Sequence, residues 1–486
     1  SGSSANAPMG SATMRNSRVH LMRGGAQRAR ACVAAGVIAA CAAALALPGT
    51  AGAADAAVKT VVDTGTAEQV TSVPRVTPIP IRNDFDDLAV RPDGALVVAT
   101  DANATYTKRR PRPAAAAVRF GPLGVQLPTL SLVAPAARAV TTQSAVTPTG
   151  AVVAWAVGEK HPIAWTSEVS DAGVASAPVQ LSAAGRIGWP IDVAAGSGGA
   201  VGVLYGEAAP DARNLDSYQL AYRASGASTS STSSVPFAGD RSAFYEFRVA
   251  LGAAGDGAIA AWSNERHAAS LWRIARDGTV GPEIPVRLSR HSYVDVMLAV
   301  GGDGTIGATF GESLDRAPSR VTLAQVAPGA NTLGPLVRLT ASDGASLWTQ
   351  GVGLAVGSTG RLLASVEDSG GAQVILEGSG ASFTKTLVPY VHDGSSAAAW
   401  MPDGSAVVVL QSDDPTAYPA TTHLFSIRHA PGAAFGAPRQ IGPQLVKGGR
   451  SFSLRSLVPA PDGTAVLAWD AYDGHRERLA VARITP

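Results

Sequence analysis

Acidic residues recur at one place in a repeating pattern: Asp101, Glu159, Glu207, Glu265, Glu312, Glu367, Asp413 and Asp470 each follow an apolar run by a residue or two. Three of these places also carry a histidine, as Glu159-Lys160-His161, Glu265-Arg266-His267 and Asp473-Gly474-His475. Carboxylates gathered around one mouth could hold a cation, with Ca2+ the candidate cofactor, or a polar or cationic ligand. Carboxylates beside an imidazole could instead do acid–base chemistry. On that alternative the chain is a hydrolase or lyase acting on extracellular carbohydrate, with Glu159, Glu207, Glu265 and Glu312 as the candidate acids and bases. The plainest account is that a connection leaving a buried strand turns polar because water surrounds it. Direct metal ligation by the histidines is not expected, because the repeats that carry them are not all neighbours.

Other constellations are missing from the sequence. There is no H-E-x-x-H, no G-x-S-x-G and no P-loop. Ser342-Asp343-Gly344-Ala345-Ser346-Leu347-Trp348 has the wrong spacing for a sialidase box, and Asn83-Asp84-Phe85-Asp86-Asp87 lacks the glycine of a calcium loop. Both cysteines, Cys32 and Cys41, precede the repeats, so no disulfide, Cys-ligated metal or thiol nucleophile is expected within them. Trp155, Tyr205, Trp262, Phe310 and Trp469 end successive apolar runs and read as packing residues, as do Trp165 and Trp272. Trp189, Tyr245 and Trp348 are the better candidates for stacking on a sugar. Lys108–Pro113 is a basic, Pro-rich loop, and 225–234 is a run of Ser, Thr, Gly and Ala.

The elements that must position these residues are strands. RPDGALVVAT, TPTGAVVAWA, GSGGAVGVLY, AGDGAIAAWS, GGDGTIGATF, GSTGRLLASV, MPDGSAVVVL and PDGTAVLAWD align on Gly94, Gly150, Gly199, Gly257, Gly304, Gly360, Gly404 and Gly463. A glycine that accepts a left-handed backbone, followed by an apolar β-branched and aromatic run, reads as a hairpin turn feeding a buried strand. The spacings are 56, 49, 58, 47, 56, 44 and 59 residues, about 53 on average. A period near fifty with only strands in it predicts propeller blades. A third strand and a second turn follow, at Asp277-Gly278, Pro328-Gly329 and Pro431-Gly432. Then comes an outer strand with an F-G-x-P-like lead-in, as in FGPLGVQLP and FGAPRQI.

The expected fold is therefore all-β, a single propeller of about eight four-stranded blades, with seven as the alternative. Residues 1–53 read as a cleaved leader: Arg15, Arg18, Arg23, Arg28 and Arg30, an apolar run over 31–47, then Ala51-Gly52-Ala53. Residues 54–73 read as a short linker and 74–486 as the propeller. The stretch 74–81 is expected to close the ring as the outer strand of the last blade, which removes exposed sheet edges. Ile38-Ala39-Ala40-Cys41 offers lipid anchoring at Cys41 as a second reading. The composition is that of a turn-rich all-β chain, with 53 Gly, 32 Pro and 16% charged residues, and a net charge of +2 suggests no nucleic-acid partner.

The Asp-Gly hairpin, the F-G-x-P lead-in and the Ala/Gly-rich leader resemble secreted β-propeller repeat proteins of high-GC, actinobacterial-type bacteria. TolB-like propellers are distantly similar. The resemblance covers roughly 74–486 and implies architecture, not activity. The expected function is an exported, monomeric binding or interaction protein of the cell envelope or extracellular space. An envelope protein or a glycan is the expected partner, with no transmembrane segment in the mature chain.

Overall fold

Each apolar run of the repeat is a β-strand lying second in a four-stranded antiparallel meander. A computed structural model describes residues between Ala56 and Ile484, apart from 58–69, 73–86, 93–95, 102–114, 121–129, 133–138, 159–160, 213–214, 238–243, 264–267, 289–292, 314–319, 341–347, 368–372, 389–395, 415–420, 442–451 and 473–476. The chain divides at Ala54, and all described residues belong to the unit Asp55–Pro486.

The described residues form eight sheets, numbered here as blades 1 to 8 in chain order. Their innermost strands are Asp87–Val90, Ala139–Thr147, Ile187–Ala195, Phe244–Leu251, Tyr293–Val300, Trp348–Val356, Ser396–Trp400 and Phe452–Pro459. Each innermost strand lies beside that of the next blade, and that of blade 8 lies beside that of blade 1. Eight antiparallel sheets in cyclic order make a β-propeller, and the count left open between seven and eight is eight.

The outer strand of blade 8 comes from the other end of the chain. Val70–Ser72 pairs antiparallel with Glu477–Ile484, Val70 opposite Ala482 and Ser72 opposite Ala480. The expected segment, 74–81, lies outside the described residues. It contains Pro74, Pro78 and Pro80, which have no N–H to give a ladder, whereas Val70-Thr71-Ser72 has three. The stretch read as a linker thus carries two short strands, since Ala56–Ala57 also pairs, in parallel, with Thr386 and Leu387 of blade 6.

The glycine turns explain why the repeat is legible. In blades 3 to 8 the residues Gly196, Gly252, Gly301, Gly357, Met401 and Ala460 each donate an N–H to the carbonyl four residues on, at 2.7–2.9 Å. The residue three on is always a glycine, which donates back at 2.8–3.1 Å. These glycines, Gly199, Gly255, Gly304, Gly360, Gly404 and Gly463, have φ between 77° and 93°. That is a three-residue hairpin loop ending in a left-handed bulge glycine. In blade 4 the turn glycine is Gly255, not the aligned Gly257, which begins the second strand. Two glycines flank Asp256, and only the hydrogen-bond frame separates them. Blade 2 differs, joining Thr147 to Gly150 through Pro148-Thr149.

Aspartates seal several of these turns. Asp303, Asp403 and Asp462 each accept the backbone N–H and the hydroxyl of the residue two on, Thr305, Ser405 and Thr464, at 2.6–3.0 Å. The Ser405 hydroxyl, then its amide, holds the Asp403 carboxyl below its ordinary value. The second turns also form, with Gly278, Gly329 and Gly432 at φ of 86°, 68° and 72°.

Packing runs between blades. The second strands Gly257–Ser263 and Val201–Ala208 are buried along their whole length. That explains the lack of alternation in their sequence. One core cluster joins Leu204 and Tyr218 of blade 3 to Phe247 and Trp272 of blade 4, and the next joins Trp262 and Leu271 of blade 4 to Phe310 of blade 5. Trp155, Trp272, Trp469 and Phe310 are fully buried, so these aromatics are packing residues, as expected.

At three successive blade boundaries a polar contact accompanies the apolar one. At one position of the third strand, a side chain reaches over both turns of the next blade. The Tyr222 hydroxyl of blade 3 donates toward the carbonyls of Gly255 (2.8 Å) and Arg276 (3.0 Å) in blade 4. Arg273 of blade 4 donates to Gly304, Ala327 and Ala330 of blade 5 at 2.6–3.0 Å. Gln325 of blade 5 donates to Gly360 of blade 6 at 3.0 Å and accepts the Gly380 N–H at 2.6 Å. Burial draws the Arg273 guanidinium down from its ordinary value, against the opposing pull of Asp256 and Asp303. The turn glycines so covered, Gly255, Gly304 and Gly360, are buried, and Gly404 is exposed.

Gly404→Ala should cost about 1–2 kcal/mol, the left-handed penalty for an L-residue alone, because a Cβ there meets only Pro431 at 3.8 Å. Gly360→Ala should cost more, since its Cβ would also lie 2.5 Å from Thr305 Oγ1 and 2.6 Å from Asp303 Oδ2. Equilibrium unfolding of the two variants checks this, and equal costs would show that the inter-blade cover adds nothing.

Candidate functional site

Six of the eight expected acidic residues sit on strands rather than in the connections after them. Asp101, Glu207, Glu312, Glu367, Asp413 and Asp470 all lie within the second strands of their blades. The ladder carries through them, pairing Glu207 with Ser217, Glu312 with Arg320 and Glu367 with Gln373. Side chains are described for Glu207, Glu312 and Glu367, which are 5%, 1% and 6% exposed. These three are buried groups. The side chains of Asp101, Asp413 and Asp470 lie outside the described residues, as do Glu159, Glu265, His267 and His475 altogether. His161 is exposed.

Their register divides them. Glu207 and Glu312 lie eight residues after their turn glycines, Gly199 and Gly304, and Glu367 lies seven after Gly360. Side chains alternate along a strand, so Glu367 faces the opposite side of its sheet. Among the described residues, no three or more His, Cys, Asp or Glu are grouped so as to hold a metal ion.

The buried carboxylates have structural partners. Glu207 accepts the Ala183 N–H at 2.6 Å and faces Arg186 Nε at 3.3 Å. Arg186 also pairs with Asp216, so the connection entering blade 3 is tied to that blade's own second-to-third-strand loop. Burial, then the Glu207 charge, pushes the nearby Tyr205 hydroxyl up to about 12. Glu312 accepts from the Thr322 hydroxyl at 3.2 Å, and both are almost wholly buried. Beside Glu367, the Gln373 amide bonds Ser365 at 2.7 Å and Ser396 of blade 7 at 3.3 Å. Trp189, one of the stacking candidates, is half-buried.

A different cluster opens on the surface, at the hairpin-turn end of blade 6. The third-strand position held by Tyr222, Arg273 and Gln325 is here Glu377, which as a carboxylate has no proton to give the next turn. It pairs instead with Arg361 and with His429 of blade 7, whose Nε2 lies 3.2 Å from Glu377 Oε2. Arg361 also lies over the Trp400 ring, 5.6 Å from its centroid. Glu377 and His429 are buried, but the Arg361 side chain is 48% exposed. It opens on a cavity of about 450 Å³ lined by Glu377, Ser379, Ser382, Phe383 and Thr384 among others. An arginine fixed by a carboxylate and a ring keeps donors to spare and has little side-chain entropy left to lose on binding.

This cluster was not foreseen. One signal was present: the residue after the turn glycine is Ala200, Asp256, Thr305, Ser405 or Thr464 in five blades and Arg361 in blade 6.

No protein-family model matches the chain, and no curated protein matches it. Solved structures do. The chain is similar to the β-propeller domain of the trilobed protease from Pyrococcus furiosus, at 8% identity and a TM-score of 0.38, over 71% of this chain and 95% of that one. It is similar to a protein of unknown function from Dyadobacter fermentans at 9% identity and a TM-score of 0.36, covering 72% and 95%. Prolyl oligopeptidase B from Galerina marginata is similar at 13% identity and a TM-score of 0.41, over 81% of this chain and 56% of that one. Among the described residues no helix is long and apolar enough to cross a membrane.

Glu207→Gln should lower stability by roughly 1–3 kcal/mol, because it weakens a nearly buried carboxylate's hold on Arg186 and Ala183. Chemical denaturation checks this; unchanged stability would release Glu207 from its structural role.

Proposed function

We propose that the chain is an exported β-propeller binding protein whose ligand docks at the corner of blade 6. The observation that carries this reading is Arg361, held between Glu377 and Trp400 at the mouth of an open cavity lined in part by Ser379, Ser382 and Thr384. Few precisely placed polar groups around a preformed concavity are what small-ligand sites require. Guanidinium and hydroxyl donors suit a polar or charged ligand, such as a piece of cell-wall glycan or an acidic group on an envelope protein.

Export is supported by the basic, apolar and small-residue order of residues 1–53, and by the confinement of both cysteines to that stretch. Secretion into the extracellular space or the envelope follows from cleavage after Ala53, and anchoring there would follow from lipidation at Cys41.

A ligand that binds only the folded ring must raise its melting temperature. A thermal-shift screen of residues 54–486 against cell-wall fragments, soluble glycans and small acids should give a rise that Arg361→Gln removes. A rise of equal size in Arg361→Gln would move the site elsewhere on the ring.

A further inference from the structure

A guanidinium carries its N–H donors in a rigid planar fork, and how much of that fork the protein uses up decides what is left for a ligand. In Arg273 the Nε, Nη1 and Nη2 atoms each donate to a carbonyl of blade 5, so the side chain is spent on holding the ring. In Arg361 only Nη2 donates, to Glu377 Oε1, while the Trp400 ring supports a face of the group. Glu377 meets Arg361 through that one oxygen, because its Oε2 is turned to His429 Nε2. The Nε and Nη1 hydrogens of Arg361 have no protein acceptor among the described residues, and the side chain is half-exposed.

The hairpin beside Arg361 brings hydroxyls to the same face. Across the third and outer strands of blade 6, Thr384 stands opposite Glu377 and Ser382 opposite Ser379. Directly opposed residues share a sheet face and side chains alternate along a strand, so these four residues lie on one face. On the second strand Leu363 stands opposite Glu377, and Arg361 comes two residues before Leu363, which places it on that face again. Ser379, Ser382 and Thr384 are exposed, and their hydroxyls have no partner among the described residues. Each can donate or accept.

A carboxylate alone would match the free part of the guanidinium and leave the hydroxyls unused. A neutral sugar would match the hydroxyls and leave the charge unmatched. We propose that the corner of blade 6 recognises an acidic sugar, with the carboxylate on Arg361 through paired N–H donors and the sugar hydroxyls on Ser379, Ser382 and Thr384. The cavity of about 450 Å³ is in the size range of small-molecule sites. This ligand class rests on the reading of the same corner as a binding site.

Galacturonate carries both groups, galactose only the hydroxyls and acetate only the carboxylate. In calorimetric titrations of the protein at one pH and ionic strength, galacturonate should bind about tenfold or more tighter than either of the others, the scale of a charge-assisted hydrogen-bond pair. Arg361→Gln should bring galacturonate down to the galactose level. Ser382→Ala with Thr384→Ala should weaken galacturonate and leave acetate unchanged, and these exposed positions keep the test open if Arg361→Gln does not fold. Equal affinities for galacturonate and galactose would overturn the proposal. So would acetate binding as tightly as galacturonate, which would point to an acidic group on a protein instead. Absence of galacturonate binding would overturn it too, and a thermal-shift response to another ligand that Arg361→Gln removes would then keep the corner as a binding site of a different class. With no such response either, both readings fall together.

Discussion

The ring depends on how one blade grips the turns of the next. A left-handed glycine brings each hairpin round so tightly that its carbonyls point outward at the blade boundary, where they must find a donor or water. Tyr222, Arg273 and Gln325 supply that donor in three successive blades, each spanning both turns of its neighbour. Apolar packing of the second strands brings the blades together without fixing their relative height. The directional bonds at the turns fix it, because a hydrogen bond weakens steeply away from its preferred geometry.

Where this grip changes chemistry, the surface changes with it. Glu377 can accept but not donate, so the turn of blade 7 is left uncovered and Gly404 is exposed. The carboxylate turns to Arg361 and His429, and the resulting cluster opens on a cavity lined in part by Ser379, Ser382 and Thr384. One change from donor to acceptor thus leaves a turn exposed and gathers Arg361 and His429 around a carboxylate.

The turns, second strands and blade count could be read from the sequence because they obey local rules: a glycine where φ must be positive, and unbroken apolar runs where both faces are covered. Gly257 was mistaken for Gly255 because both satisfy the local rule and only the pairing of Gly252 with Asp256 distinguishes them. The acidic residues were visible as a pattern, but their meaning was not. Glu207 is explained by Arg186 and Ala183, which arrive from the preceding blade connection, and a shift of one residue between Glu312 and Glu367 reverses the face. Tyr222, Arg273, Gln325 and Glu377 occupy one structural position with four different side chains, so no repeated letter marks them. His429 lies about a full repeat beyond Glu377, and only the packing of blade 7 against blade 6 brings them together.

The central claim is that cover from the preceding blade locks the turns of blades 4, 5 and 6. Native-state hydrogen exchange at the amides of Gly255, Gly304, Gly360 and Gly404 tests it most directly, since each donates the same turn-closing bond and differs in what lies above it. The account predicts that Gly404 opens more readily than the other three. Equal protection at all four would contradict it, and would leave apolar packing alone as what holds the blades in register.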